Sequence, residues 1–254
     1  PMQLPFMSMA TQQPQQQQGL DLNEKHDLFK RVFGTVKEDD AIERTLLTER
    51  NTQTGEVSLI EKKDRPALIV SSTSWTPDED FSILLKAVEL YDRKQTDSKN
   101  RKLQLIITGS GPLKSYYEQK MREMTLKYCQ LGTKWLEAED YPKLLSCCDL
   151  GVCLHYSSSG VDLPMKVVDM FGSGIPVCAI DFEALPELVQ NNENGYIFET
   201  SEQLADQLYE LLVQDADQVK LSRMKQHVAS HFQTTDWDSE WSQTVKPLLI
   251  NMLK

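Results

Sequence analysis

From Arg65 onward the chain alternates short β-rich runs with amphipathic stretches of helical spacing, and this alternation restricts its possible folds more than any other feature. The β-rich runs are ALIVSST (67–73), LQLIIT (103–108), CQLGTKW (129–135), DLGVCLH (149–155), IPVCAI (175–180) and GYIFE (195–199). Around them lie DFSILLKAVELYDRK, KSYYEQKMREMTLKY, AEDYPKLLSC, MKVVDMFGSG and EQLADQLYELLVQ, where apolar residues recur every three or four positions. A repeated βαβ order predicts an α/β fold: a Rossmann-like, six-stranded parallel sheet covered by helices on both faces. The right-handed crossover then puts every strand-to-helix loop at one edge of that sheet.

The flanks read differently. Residues 1–19 combine Met, Pro and the run TQQPQQQQG, which buries too little apolar surface to offset the entropy of ordering it, so this segment is expected to be disordered. LDLNEKHDLFKRVF (20–33) has helical spacing, with Asp21 or Asn23 as its cap. The polar stretch 34–64 reads as a long loop or partly ordered connector, so 20–64 is a helix plus irregular connector ahead of a domain over 65–234. The tail from Gln218 reads as two more helices. The last, within 235–254, carries Trp237, Trp241, Val245, Leu248 and Leu249, and packs either on its own domain or on a second domain across a cleft.

The chain has 254 residues, 40% of them hydrophobic, enough for one good core but not for two complete domains. A formal net charge of -11 argues against a nucleic-acid partner, which needs clustered Lys and Arg, so any bound phosphate must be held locally. Cys129, Cys147, Cys148, Cys153 and Cys178 show neither metal-ligand spacing nor a disulfide framework; reduced structural thiols in a compartment such as the cytosol fit them, and no metal site is expected. No segment approaches the roughly 20 apolar residues of a membrane span, and the start lacks signal-peptide character, so the chain by itself is expected to be soluble.

Ligands of open α/β sheets bind beyond the carboxyl ends of the strands, and four loops there carry unusual residues. SSTSWTPDEDF (71–81) places Ser72, Thr73 and Ser74 before a helix start marked by Pro77, Asp78 and Glu79, which suits either an anion or an ordinary hydroxyl turn. In TGSGPL (108–113), Gly109 and Gly111 permit close backbone approach and positive φ. In KWLEAEDYPKLL (134–145), Trp135, Leu136 and Glu137 offer a ledge for a nucleobase, or else plain core or rim packing. HYSSSGVDLPMKVVDMFGSGIPV (155–177) is the most informative: Ser158, Ser159 and Gly160 precede a helix with Lys166 in its first turn and Asp169 on the same face. A cation there opposes the helix dipole, which makes sense beside an anionic ligand, with the carboxylate free to accept from a ribose diol. The competing reading is an i,i+3 surface pair between Lys166 and Asp169.

Pro164-x-Lys166-x-x-Asp169-x-x-Gly172-x-Gly174-x-Pro176-Val177 resembles the P-x-K-x-x-E-x-x-x-x-G-x-P-V stretch in the C-terminal domain of GT-B glycosyltransferases, with Asp for the usual Glu. GSGP (109–112) and NENGYIF resemble two further elements of that domain. SSTSWTPDEDFSILL, ITGSGPLKSYYEQK, WLEAEDYPKLL and DLGVCLHYSSSGVDLPMKVVDMFG narrow the resemblance to the chitobiosyldiphosphodolichol β-mannosyltransferase family, over about Leu20 to the C-terminus.

That resemblance implies a hexosyltransferase working at the cytosolic face of the endoplasmic reticulum membrane in N-glycan precursor assembly. It implies GDP-mannose as donor substrate, no cofactor, and a dolichol-diphosphate-linked di-N-acetylchitobiose acceptor that receives mannose in β-1,4 linkage with inversion. The family's membrane anchor and acceptor-binding N-terminal domain are missing from this sequence, so the chain would supply the donor-binding half and be inactive alone, with other early N-glycan mannosyltransferases as partners. Guanine would lie near Trp135–Glu137, ribose at Asp169, and diphosphate among Ser72–Ser74, Gly109–Gly111, Ser158–Gly160 and Lys166. Held by a cation, amides and a dipole, such a leaving group needs no divalent metal. The general base is not assigned, although Asp162 and His155 lie in a suitable loop. A catalytically silent GDP-mannose-binding module is the alternative. A P-loop or Gly-x-Ser-x-Gly hydrolase is not indicated, since neither motif occurs.

Overall fold

A computed structural model describes residues 19–37, 41–97, 100–157, 159–215, 218–232 and 237–252. The glutamine-rich start expected to be disordered lies, but for Gly19, outside the described residues.

The chain opens with α1 (Leu22–Phe33), whose start is fixed by a capping box: Asp21 accepts from the Glu24 amide at 2.8 Å and Glu24 accepts from the Asp21 amide at 3.0 Å. Next come four short strands, β1 (Val36–Lys37), β2 (Ile42–Arg44), β3 (Thr48–Asn51) and β4 (Val57–Leu59), paired antiparallel in the order β1-β2-β3-β4. This corrects the expectation of an irregular connector over 34–64. Strands of two to four residues are too short to show a period-two pattern, and what stabilises them is their neighbours. The hairpin between β3 and β4 turns where Asn51 Oδ1 accepts from the amides of Gln53 and Thr54, both at 2.9 Å, and Gly55 takes φ +76°. His26 of α1 is fully buried against this small sheet, its ring 2.9 Å from Thr48 Oγ1 and 3.1 Å from Glu43.

After a 3-10 turn at Lys62–Asp64 the expected alternation begins: β5 (Ala67–Ser72), α2 (Phe81–Lys94), β6 (Leu103–Thr108), α3 (Lys114–Glu123), β7 (Cys129–Lys134), α4 (Asp140–Cys147), β8 (Leu150–Cys153), α5 (Met165–Gly172), β9 (Val177–Ile180), β10 (Gly195–Phe198) and α6 (Ser201–Tyr209). α6 widens into a π turn over Glu210–Gln214, and α7 (Val219–Phe232) follows. All six strands pair in parallel, in the order β10-β9-β8-β5-β6-β7. Every residue of β5 is buried, the apolar run 67–70 and the two serines after it alike, as befits a strand covered on both faces.

Alternation along the strands divides the core in two. Ile69, Leu105, Ile107 and Val152 face α2, α3 and α6 through Phe81, Leu84, Tyr91, Tyr117 and Leu204. Leu68, Val70, Ile106 and Cys153 face α1, α4, α5 and α7 through Phe29, Leu144, Phe171 and Val228. The five cysteines are free and buried, as expected of structural thiols. The tail is helical across α8 (Trp237–Glu240), a π turn (Trp241–Val245) and α9 (Lys246–Met252). It exposes Trp241, Leu248, Leu249, Ile250 and Met252, so packing on its own domain does not cover them.

Candidate functional site

The chain crosses from β5 to β6 on one side and from β8 to β9 on the other, so the loops after the neighbouring strands β5 and β8 part at the carboxyl edge of the sheet. Such a switch point leaves a crevice. Its walls are loop 73–80, the start of α5 and residues 154–157 and 159–164.

At the centre is a residue that spacing alone does not reveal. Glu79 is 1% exposed, and its carboxylate collects three donors. Oε2 accepts from Thr73 Oγ1 at 2.5 Å and from the Ser74 amide at 2.8 Å, while Oε1 pairs with Lys166 Nζ. Lys166 therefore bonds across the crevice rather than along its own helix, which sets aside the Lys166–Asp169 surface pair. α2 does not begin at Pro77–Glu79 as expected; Asp80 caps it, accepting from Ser82, and Glu79 is left in the turn before it. α5 has no capping side chain, and its first turn carries Lys166 where the dipole is positive.

A second chain of polar groups runs along the floor. Thr108 Oγ1 donates to Ser72 Oγ at 3.1 Å, and Ser72 Oγ lies 2.9 Å from Tyr141 Oη. Tyr141 in turn faces Asp169. Burial raises the Asp169 carboxyl above the usual aspartate range, and a hydrogen bond from Tyr141 opposes this in part. In the β8 loop, Asp162 accepts from Ser159 Oγ at 2.6 Å, from Ser157 Oγ and from His155 Nε2 at 3.2 Å. The hydrogen bonds of Ser157, Ser159 and His155 hold its carboxyl well below the usual range. Asp78 approaches the other His155 nitrogen at 3.8 Å.

Of the residues singled out from sequence, Ser72, Thr73, Ser74, Lys166 and Asp169 come together in this crevice, and Ser159 and Gly160 border it. Gly109 and Gly111 are taken up by the protein itself: a Cβ on Gly109 would lie 1.9 Å from the Thr73 carbonyl oxygen, and one on Gly111 1.8 Å from that of Ser74. Trp135 and Glu137 stand exposed at the end of β7, two strands from β5, while Leu136 is partly buried against the core. Trp135 is 66% exposed, which removes core packing as its role and leaves rim packing beside the nucleobase ledge. Ser158 lies outside the described residues. Glu79 and Tyr141 went unrecognised because their partners are 87 and 69 residues away. A cavity of about 630 Å³ at the opposite edge, lined by Arg44, Arg65, Arg101 and Lys102, is separate from the crevice.

Residues 57–228, which contain every group named in the crevice, match the family model of the glycosyl transferases group 1. The chain belongs to this family. As a group 1 glycosyl transferase it has close relatives: it is 48% identical over 242 residues to the chitobiosyldiphosphodolichol beta-mannosyltransferase of Pongo abelii and 50% identical over 216 residues to that of Homo sapiens. These matches cover 91% and 84% of this chain, but 51% and 46% of the relatives. The chain thus spans about half the length of the curated relatives it matches. It is also 41% identical over 260 residues to the UDP-glycosyltransferase TURAN of Arabidopsis thaliana, over 91% of this chain and 55% of that protein.

Solved structures show where this group 1 glycosyl transferase sits among folds. HepE of Anabaena, solved with UDP, aligns with a TM-score of 0.57 at 20% identity, over 73% of this chain and 49% of that one. The pneumococcal O-GlcNAc transferase GtfA aligns with a TM-score of 0.53 at 18% identity, over 72% of this chain and 36% of that one. Its structural neighbours are GT-B glycosyltransferases, in accord with the expected fold. No helix among the described residues is long and apolar enough to cross a membrane.

Proposed function

We propose that this chain is the donor-binding half of an inverting β-1,4-mannosyltransferase that moves mannose from GDP-mannose to a dolichol-diphosphate-linked chitobiose at the cytosolic face of the endoplasmic reticulum. The convergence of Thr73, the Ser74 amide and Lys166 on the Glu79 carboxylate at one point of the switch-point crevice carries the reading, because a point with those donors suits an anion. In this reading those groups hold the leaving diphosphate, with Ser72, Ser159 and Gly160 beside them. Asp169 accepts from the ribose diol, and Trp135 with Glu137 receives guanine. Gly109 and Gly111 act indirectly, by letting loop 73–75 lie close to the β6 loop. Donors fixed before the reaction stabilise the developing negative charge without reorganising.

The acceptor, and the early mannosyltransferases that would accompany the enzyme, are assigned to the part of the relatives that this chain does not span. A second reading, a uridine nucleotide as donor, is favoured by the name of the Arabidopsis relative, a UDP-glycosyltransferase.

Calorimetric titration of the chain with GDP, GDP-mannose and UDP, in the presence of a chelator, tests both. The expected result is saturable guanine-nucleotide binding without a divalent metal, lost in Lys166→Ala and Asp169→Ala. Preference for UDP transfers the assignment to the second reading, and no binding to a folded chain refutes the donor site.

A further inference from the structure

The groups assigned to the leaving diphosphate already hold an anion that belongs to the chain. Both oxygens of Glu79 are engaged, one by Thr73 and Ser74 and the other by Lys166, and the side chain is almost fully buried there. A nucleoside diphosphate brings at least two negative charges to the same donors, and two anions in a poorly solvated crevice repel strongly. Both therefore cannot occupy it.

The local fold lets the side chain leave while the loop stays. Trp75 anchors one end: its ring is 1% exposed, packs on Phe81 and Tyr117, and donates from Nε1 to the Gly109 carbonyl at 3.3 Å. Asp80 caps α2 at the other end. Between them Glu79 is outside the helix, its amide donating to the Thr76 carbonyl at 3.1 Å, so rotation about its side-chain bonds breaks no helical hydrogen bond.

We propose that Glu79 is a stand-in anion, which occupies the phosphate-binding groups and swings out of them when a nucleoside diphosphate enters. This rests on the donor-site reading above. In place, the carboxylate keeps the Lys166 charge paired and holds loop 73–80 against α5. On binding, the ligand's phosphates take over the same three donors, and part of their interaction is used to displace the carboxylate.

The test is titration of GDP and UDP into the wild-type chain, Glu79→Gln and Glu79→Asp, with circular dichroism to establish folding. A site closed about nine-tenths of the time has its apparent affinity lowered about tenfold, so Glu79→Gln, which keeps the shape and loses the charge, is expected to bind about tenfold more tightly than wild type. Glu79→Asp, one methylene shorter, is expected to gain less, and it carries the test if Glu79→Gln does not fold. Unchanged or weaker binding in the folded variants, with clear binding by wild type, overturns the stand-in and leaves the donor site standing. No binding of either nucleotide by any of the three overturns the donor-site reading and the stand-in together.

Discussion

Lys166 and Glu79, 87 residues apart in the chain, meet as an ion pair across the junction of β5 and β8. The carboxylate is the more deeply buried partner, and removal of the ammonium strands it. Lys166→Met is therefore expected to cost about 2 kcal/mol, because the carboxylate keeps Thr73 and Ser74 but loses its counter-charge, and Glu79→Gln in the same chain is expected to recover most of it. Urea midpoints of the two single variants and the double variant measure this coupling; strictly additive losses would show that the pair does not act as a unit.

Gly109 and Gly111 hold the β6 loop against the backbone of residues 73–75. Gly109 also takes φ +115°, where an L side chain is strained. Alanine at either position must push the loops apart, at an expected cost of about 2 kcal/mol or more, with loss of nucleotide binding. Gly132, whose added Cβ would meet nothing within 4 Å, is the control, and Gly132→Ala should leave both properties nearly unchanged. Thermal unfolding of the three variants separates the positions.

At the other end of the sheet Asp149 accepts from Arg65 at 2.9 and 3.1 Å, from Arg101 at 2.7 Å and from the Leu68 amide at 2.9 Å. Burial alone would raise its pKa, but Arg101, Arg65 and Lys225 more than offset this and hold the carboxyl well below the usual aspartate range. The folded pKa is thus depressed, so the stabilisation is complete above the unfolded value of about 3.9 and is lost as pH falls through the folded one. Asp149→Asn leaves two buried guanidinium groups without their counter-charge and is expected to cost about 3–5 kcal/mol at pH 7. It should also flatten the fall of stability below about pH 4, which denaturant midpoints at pH 7, 4 and 3 would show.

Asp169 shows the opposite shift. Burial raises its pKa, so the folded chain keeps this proton to a higher pH than the unfolded chain, and stability falls as pH rises through that interval. Asp169→Asn is expected to raise the melting temperature at neutral pH, to change it little in acid, and to weaken nucleotide binding about tenfold through loss of a charged acceptor. A variant that melts earlier at neutral pH would contradict this account of the site.

The large elements of this fold are written locally. The short apolar-rich runs at 67–73, 103–108 and 149–155 read as strands covered on both sides because stretches of helical spacing alternate with them and supply the crossovers. Lys166 and Asp169 were legible for a related reason: a cation in the first turn of a helix works against the dipole, and that conflict shows within a few residues. Tertiary structure alone decided the remainder. β1–β4 are too short to carry a period of their own and form because they pair with one another and pack on α1. The spacing around Glu79 makes it one more acid at a helix start, and the fold turns it into the buried partner of Lys166. Sequence spacing records which face of an element is apolar; it holds no record of which two loops the sheet order brings side by side, because those contacts join residues many tens of positions apart.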